Sequence, residues 1–220
     1  MSSDPRVGHS EAGFTLIELM VVLLIIAILL AIAIPTFLGV ANSAGDRAAQ
    51  SNLTNALTEA KALYQDAATY SPGNVAMTTG TFSSSAPEFS WTTGTGTTGG
   101  CSASPTDCIS EQVVDAGALT DGQGIILAAY SSKTQSCWYA LDLETKPIAL
   151  TSDTGVPFIN STTDVPTTTQ SGGWSAGVLY AQKKSTTGNL VTASNCNANW
   201  AATQTHFGWG LSYASPGAAQ

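Results

Sequence analysis

The longest apolar stretch of the chain runs from Phe14 to Ile34 and contains one charged residue, Glu18, and one hydroxyl, Thr15. In a helix each residue rises about 1.5 Å, so this stretch extends for about 30 Å, the thickness of the hydrocarbon core of a bilayer. The pattern therefore predicts an apolar helix that is long enough to cross a membrane.

Beyond this stretch the pattern becomes that of a two-faced helix. Pro35 has no N–H to bond to the carbonyl of Ala31, so it marks a soft point in the helix. Alanine and leucine then recur at spacings of three and four as far as Ala67, and Ser71-Pro72-Gly73 is a stop signal. We predict one helix of about 50 residues, apolar all round in its first half and amphipathic in its second.

The rest of the chain is expected to form a sheet. Residues 78–106 are rich in Thr, Ser and Gly, which predicts a long surface loop. Short alternating segments follow, separated by turn residues: Gly124–Tyr130, Cys137–Leu143, Lys146–Leu150, Gly177–Gln182, Leu190–Ala193 and His206–Tyr213. An antiparallel sheet of about four or more strands against the helix buries both apolar faces, so the predicted fold class is α+β.

Composition and charge exclude several classes of function. Charged residues make up 10% of the chain, and the formal net charge is −8. Neither a basic tail nor a Lys/Arg cluster is present, and residues 62–132 contain no basic side chain. Because phosphates are neutralised by Lys and Arg, we expect no direct binding of nucleic acid.

Two motifs resemble those of enzymes, and neither has the context that the chemistry requires. The G-x-G-x-x-G at Gly94–Gly99 is flanked by Thr, Ser and Gly rather than by a strand and a helix. The G-x-S-x-G at Gly173–Gly177 is followed by His206, but no Asp or Glu occurs after Asp164. The acids Asp142, Glu144, Asp153 and Asp164 are scattered and are expected to be solvated. We therefore expect no catalytic residues, no metal and no cofactor.

Glu18 distinguishes the apolar stretch from a signal peptide or a plain anchor. The stretch is too long for the apolar region of a secretory signal peptide, and no small-x-small cleavage site ends it. A carboxylate in lipid is costly and is usually paired, yet the only nearby side-chain partner is the weak hydroxyl of Thr15. Cleavage after Gly13 would supply a cation, the α-amine of Phe14, to pair with Glu18 of the same or a neighbouring helix and fix the register of packed helices.

The sequence Gly13-Phe14-Thr15-Leu16-Ile17-Glu18, followed by the apolar run, resembles the processing signature of type IV pilins and type II secretion pseudopilins. The resemblance implies cleavage between Gly13 and Phe14 by a prepilin peptidase, which also methylates the Phe14 amine. It gives Glu18 and Pro35 roles in assembly, Pro35 as the helix-interrupting proline. One departure is that the leader has Ser10-Glu11-Ala12 before Gly13 rather than a basic residue, so positive-inside orientation is weakly encoded.

The resemblance also implies the organisation of the chain and its partners. Residues 1–13 are a leader peptide, 14–35 a transmembrane and filament-core helix, 36–70 the amphipathic helix of the head domain, and 71–220 a β-sheet head domain of the pilin type. We expect a homo-oligomeric helical filament, built by an assembly platform and its ATPase from a precursor in the cytoplasmic membrane with its N-terminus inside. The alternatives are a minor pilin or pseudopilin and, in another class, a membrane-anchored surface-binding domain that never polymerises.

Four cysteines, Cys101, Cys108, Cys137 and Cys196, all follow the apolar segment. Their spacing matches no zinc site, and an even number in an exported domain favours two disulfides. Three pairings are open. We prefer Cys101–Cys108, which closes a short loop, with Cys137–Cys196, which would tie a strand to the C-terminal segment as in many pilins.

The C-terminal segment combines aromatic residues with an absence of charge. Residues 185–220 contain no charged side chain but include Trp200, Phe207, Trp209 and Tyr213. The last three share one parity along a strand, which predicts one buried face of the sheet. An uncharged subunit contact or adhesive surface is the alternative.

Overall fold

The computed structural model describes residues 13–93, 100–101, 107–114, 122–145, 176–203, 209–210, 212–214 and 217–218. The chain divides into two units, Met1–Ala41 and Asn42–Gln220. Helix α1, Leu16–Ala67, has 52 residues and is continuous through Pro35. The hydroxyl of Thr36 donates hydrogen bonds to the carbonyls of Ile32 (3.1 Å) and Ala33 (2.9 Å) beside the proline. The predicted single long helix is thus confirmed.

The second unit contains a six-stranded sheet whose strands are ordered as they occur in the chain. Its strands are β1 (Ser90–Thr92), β2 (Cys108–Val114), β3 (Gly124–Ser131), β4 (Ser136–Leu143), β5 (Gly177–Lys184) and β6 (Gly217–Ala218). The pairings from β2 to β5 are antiparallel, whereas β1 and β6 add in parallel at the two edges. The α+β class is confirmed, and β3, β4 and β5 match predicted strands.

Layers of chain cover both faces of this sheet. On one face the buried residues Leu53, Ala56 and Ala60 of α1 pack against alternate residues of β3, among them Ile125 and Leu127. On the other face a short helix, α3 (Ala198–Thr203), and the segments around it pack on the remaining alternate residues. As a result every residue of the central strand β4 is buried.

Part of the Thr/Ser/Gly-rich stretch is structured, so the prediction of a surface loop is wrong there. Thr79–Ser85 forms helix α2, which begins with a capping box at Thr78, and β1 follows it. Phe82 of α2 and Trp91 of β1 are buried, with ring centroids 5.0 Å apart. The two rings anchor the stretch on the face of the sheet that α1 covers. Residues 94–99 and 102–106 lie outside the described part of the chain.

Three strand predictions have other outcomes. Leu190–Ala193 is not a strand: the Asn195 side chain accepts a hydrogen bond from the Thr192 N–H and donates one to the Leu190 carbonyl, forming a turn. Lys146–Leu150 lies outside the described residues, as does most of His206–Tyr213. Strand β2 was not predicted. Its residues pair with β3 on one side and with β1 on the other.

The C-terminal aromatic residues contribute to both faces of the sheet. Trp209 is buried on the face covered by α3, and Trp200 packs on the same side. Tyr213, in contrast, packs on the face covered by α1, with its ring centroid 4.2 Å from that of Tyr180. The prediction of one shared face is therefore wrong for Trp209 and Tyr213. Phe207 lies outside the described residues.

The structure pairs the cysteines as preferred from the sequence. Cys101 is bonded to Cys108 at the start of β2. Cys137 of β4 is bonded to Cys196, two residues before α3. The second bridge therefore fastens the covering C-terminal layer to the central strand of the sheet.

Candidate functional site at the start of the long helix

The first turn of α1 is built around Thr15 and Glu18. The Thr15 hydroxyl donates a hydrogen bond of 2.7 Å to Oε2 of Glu18, and the Thr15 backbone N–H donates one of 2.9 Å to the same oxygen. In return, the Glu18 N–H donates to the Thr15 hydroxyl oxygen at 3.3 Å. This reciprocal pattern is a capping box, with Thr15 as the N-cap and Glu18 three residues later.

The capping box gives Glu18 a partner within its own helix that sequence analysis undervalued. Thr15 was considered only a weak hydroxyl partner, although T-x-x-E before an apolar run is itself the sequence signal of a capping box. Both bonds from Thr15 reach Oε2, and no described residue donates to Oε1. Glu18 is therefore oriented by its own helix and retains one oxygen for another donor.

The apolar segment that follows is uncovered. Every residue from Gly13 to Val40 is exposed in the single chain, including large apolar side chains such as Phe14, Leu24 and Phe37. Among the described residues, α1 is the one helix that is long and apolar enough to cross a membrane. An apolar surface of this extent requires a cover of lipid or of other protein.

A comparison with protein families decides what this segment is. A family model described as the prokaryotic N-terminal methylation motif matches residues 8–34. The chain carries a prepilin methylation motif. The motif is characteristic of the precursors of type IV pilins and pseudopilins, so the resemblance drawn from the sequence is confirmed. No curated protein and no solved structure gives a significant match.

The prepilin motif establishes a coarse function. It supports a pilin-like or pseudopilin precursor, a class of structural rather than catalytic proteins, and it implies processing by a prepilin peptidase and assembly of a pilus-like structure. Together with the apolar helix it fits a precursor anchored in a membrane. Gly13 and Phe14, where the resemblance places cleavage, directly precede the Thr15 cap.

A second cluster of polar groups lies in the head, between α1 and β4. Lys61 Nζ is 2.9 Å from Oδ1 of Asp142 and 3.4 Å from Oε1 of Glu144. The Tyr70 hydroxyl donates a hydrogen bond of 3.1 Å to Oδ2 of Asp142. Burial and the neighbouring Glu144 raise the pKa of Asp142 to about 6, although Lys61 opposes the shift. Asp142 is fully buried, so the expectation that it is solvated is wrong.

The head cluster joins two elements and offers no reactive arrangement. Within the described residues no group of three His, Cys, Asp or Glu side chains could hold a metal ion. His206, Asp153, Asp164, the Gly94–Gly99 motif and all but the last residues of the Gly173–Gly177 motif lie outside those residues. We regard Lys61, Asp142 and Tyr70 as residues that fasten α1 to the sheet.

Proposed function

We propose that the chain is the precursor of a structural subunit of a type IV pilus. In this proposal residues 1–13 are a leader that is removed, and 14–35 anchor the precursor and later form the filament core. Residues 36–70 carry the head, whose sheet lies within 71–220. The observation that carries the proposal is the conjunction of the methylation motif with an uncovered apolar helix. Lipid covers that helix in the precursor, and the helices of neighbouring subunits cover it in the filament.

Cleavage between Gly13 and Phe14 supplies the cation that Glu18 needs. The new α-amine of Phe14, methylated by the same enzyme, pairs with Glu18 of a neighbouring subunit in a medium of low dielectric constant, where such attraction is strong. The capping box supports this role because Thr15 holds Oε2 and leaves Oε1 to accept the incoming amine. The peptide N–H of Thr15 survives the cleavage, so the cap persists in the mature helix.

Pro35 gives the helix a compliant point in the same proposal. Because the proline removes one backbone hydrogen bond, the helix can lengthen or repack near it when the subunit leaves the bilayer. The precursor lies in the cytoplasmic membrane with its N-terminus inside, and the head lies on the outer side. The partners are other copies of the chain, the peptidase, and an assembly platform with its ATPase.

Electron microscopy of filaments sheared from cells, with mass spectrometry of the same fraction, tests the proposal. We expect abundant filaments containing a chain that begins at methylated Phe14. Trace amounts in filaments made of another protein would indicate a minor pilin or pseudopilin. A chain that keeps residues 1–13 and stays in the membrane fraction would refute the proposal and indicate a tethered surface domain.

A further inference from the structure

The basic residues of the head are unevenly placed. Residues 14–220 contain six basic side chains, because Arg6 belongs to the leader, and four of these six are Arg47, Lys133, Lys183 and Lys184. Lys133 lies in the turn between β3 and β4, and Lys184 pairs with Ser136 at the end of that turn. The described structure thus gathers these lysines at one end of the sheet, although the chain as a whole is acidic. These four residues are the basic end.

The basic end lies where α1 joins the sheet. At Gly45 an added Cβ would lie 2.8 Å from Cβ of Lys133, so the helix backbone approaches the turn closely. The next residue, Asp46, accepts hydrogen bonds from Thr134 in the turn (2.5 Å) and from the Trp138 indole (3.1 Å). Val40, the last residue of the uncovered apolar segment, is only five residues before Gly45 in the chain.

The charges of the basic end are available for an external partner. Arg47, Lys133 and Lys184 are exposed, and the ion pairs among the described residues involve none of them. Lys183 lies over the ring of Trp200, 3.5 Å from its centroid. The nearest acid in sequence, Asp46, already accepts two hydrogen bonds, while Glu88 and Asp107 lie at the β1 and β2 strands, across the width of the sheet.

We infer that the basic end binds the anionic headgroups of the membrane in which the precursor is anchored. This inference rests on the membrane-anchored precursor of the proposed function. Cationic side chains beside a membrane span are attracted to anionic lipid, whereas the surplus of acids on the rest of the chain is repelled. The contact therefore orients the head, with the β3–β4 turn towards the lipid, until extraction breaks it. A neighbouring subunit with an acidic surface is the competing occupant.

Acetylation of lysines in nanodiscs tests the inference. The full chain is inserted into discs of phosphatidylcholine alone or of phosphatidylcholine with phosphatidylglycerol, and a water-soluble acetylating reagent is followed by peptide mass spectrometry. We expect Lys133 and Lys184 to react about five-fold more slowly in the anionic discs. Lys61, which is ion-paired, and Lys146 serve as internal references with equal rates, and high salt should abolish the difference.

A matched pair of variants separates the basic end from net charge. In Arg47→Gln with Lys133→Gln, the protection of the remaining Lys184 by anionic lipid should fall towards none. Asn55→Glu with Thr58→Glu changes the net charge equally at exposed positions farther along α1, and should preserve that protection.

Equal rates in both kinds of disc would overturn the inference, and protection independent of lipid charge would do so too, because it indicates another copy as the occupant. Co-elution of the chain with the discs tests the anchoring, whereas the lysine rates test the basic end alone.

Discussion

Lys61 of α1 and Asp142 of β4 form an ion pair whose Nζ and Oδ1 atoms are 2.9 Å apart, although the carboxylate is completely buried and the lysine is 36% exposed. The pair connects the amphipathic half of the helix to the centre of the sheet. An unpaired carboxylate at such a position is unfavourable, and Asp142 therefore depends on Lys61 and on the Tyr70 hydroxyl.

Replacement of Lys61 should destabilise the head. We expect Lys61→Met to lower the free energy of unfolding by about 2 kcal/mol near neutral pH, because it leaves the Asp142 carboxylate buried without its cation. Chemical denaturation of the purified chain in detergent measures the change. Lys133→Met, which removes an exposed lysine, is the control and should change stability by less than about 0.5 kcal/mol. Equal effects of the two replacements would contradict a structural role for the pair.

Glu111 should make the head more stable in mild acid. Its side chain on β2 is buried, with Thr93 as a hydrogen-bond donor, and burial raises its pKa from 4.5 to about 7. Because the folded state binds the proton more tightly than the unfolded state, stability from this group is complete below pH 4.5 and is lost as the pH rises through 7.

The isosteric variant Glu111→Gln isolates this effect. We expect it to unfold with less pH dependence between pH 5 and 8, and to be more stable than the original chain at pH 8 by up to about 3 kcal/mol. Thermal unfolding at several pH values gives the comparison. An unchanged slope would show that Glu111 is ionised in the folded head at neutral pH.

The two disulfides should differ in their contribution. The bridge Cys137–Cys196 closes a loop of 59 residues and Cys101–Cys108 one of 7. In the entropic model their loss costs about 4 and about 2 kcal/mol. Paired Cys→Ala variants, unfolded by denaturant, measure both. If removal of the short bridge were the more damaging, chain entropy would not be the governing term.

Glu18 variants separate the helix cap from the charge. Glutamine can occupy the third position of a capping box, so Glu18→Gln retains the cap and loses the carboxylate, whereas Glu18→Ala loses both. We expect both variants to be cleaved after Gly13 and neither to form filaments, as seen by electron microscopy of sheared fractions. Normal filaments from Glu18→Gln would show that the cap, and not an ion pair with the Phe14 amine, is what assembly requires.

Thr15 variants test the orientation of Glu18. Thr15→Ser retains a capping hydroxyl and Thr15→Ala removes it. If Thr15 presents the carboxylate to the next subunit, the alanine variant should give fewer filaments than the serine variant, with equal cleavage by mass spectrometry. Equal yields would mean that packing of the apolar helices orients Glu18 without the cap.

The sequence was most informative where one physical signal dominates. Long-range apolar periodicity predicted α1, and alternation predicted β3, β4 and β5. Strand β2 escaped because Glu111 and Gln112 interrupt its pattern, and no periodicity reveals that Glu111 is buried with a raised pKa. Phe82 and Trp91 are nine residues apart in a stretch of small polar residues, so only the folded chain shows that they stack.

Part of the candidate site could also have been found earlier. The T-x-x-E spacing of Thr15 and Glu18 predicts their capping box from local sequence alone. The partnership of Lys61 with Asp142 could not be predicted, because the two residues are far apart in sequence and only the packing of α1 on β4 joins them. Likewise, no parity rule places Trp209 and Tyr213 on opposite faces, since the segment between them passes from one face to the other.

The complete enclosure of β4 has a consequence for how such proteins diversify. A strand with solvent on one side can vary at every second position, but β4 has no position of that kind. If hosts or viruses impose pressure on this protein, sequence change between strains should therefore spare β4 and accumulate in exposed turns such as Ser132–Gln135 and in the layer that overlies the sheet.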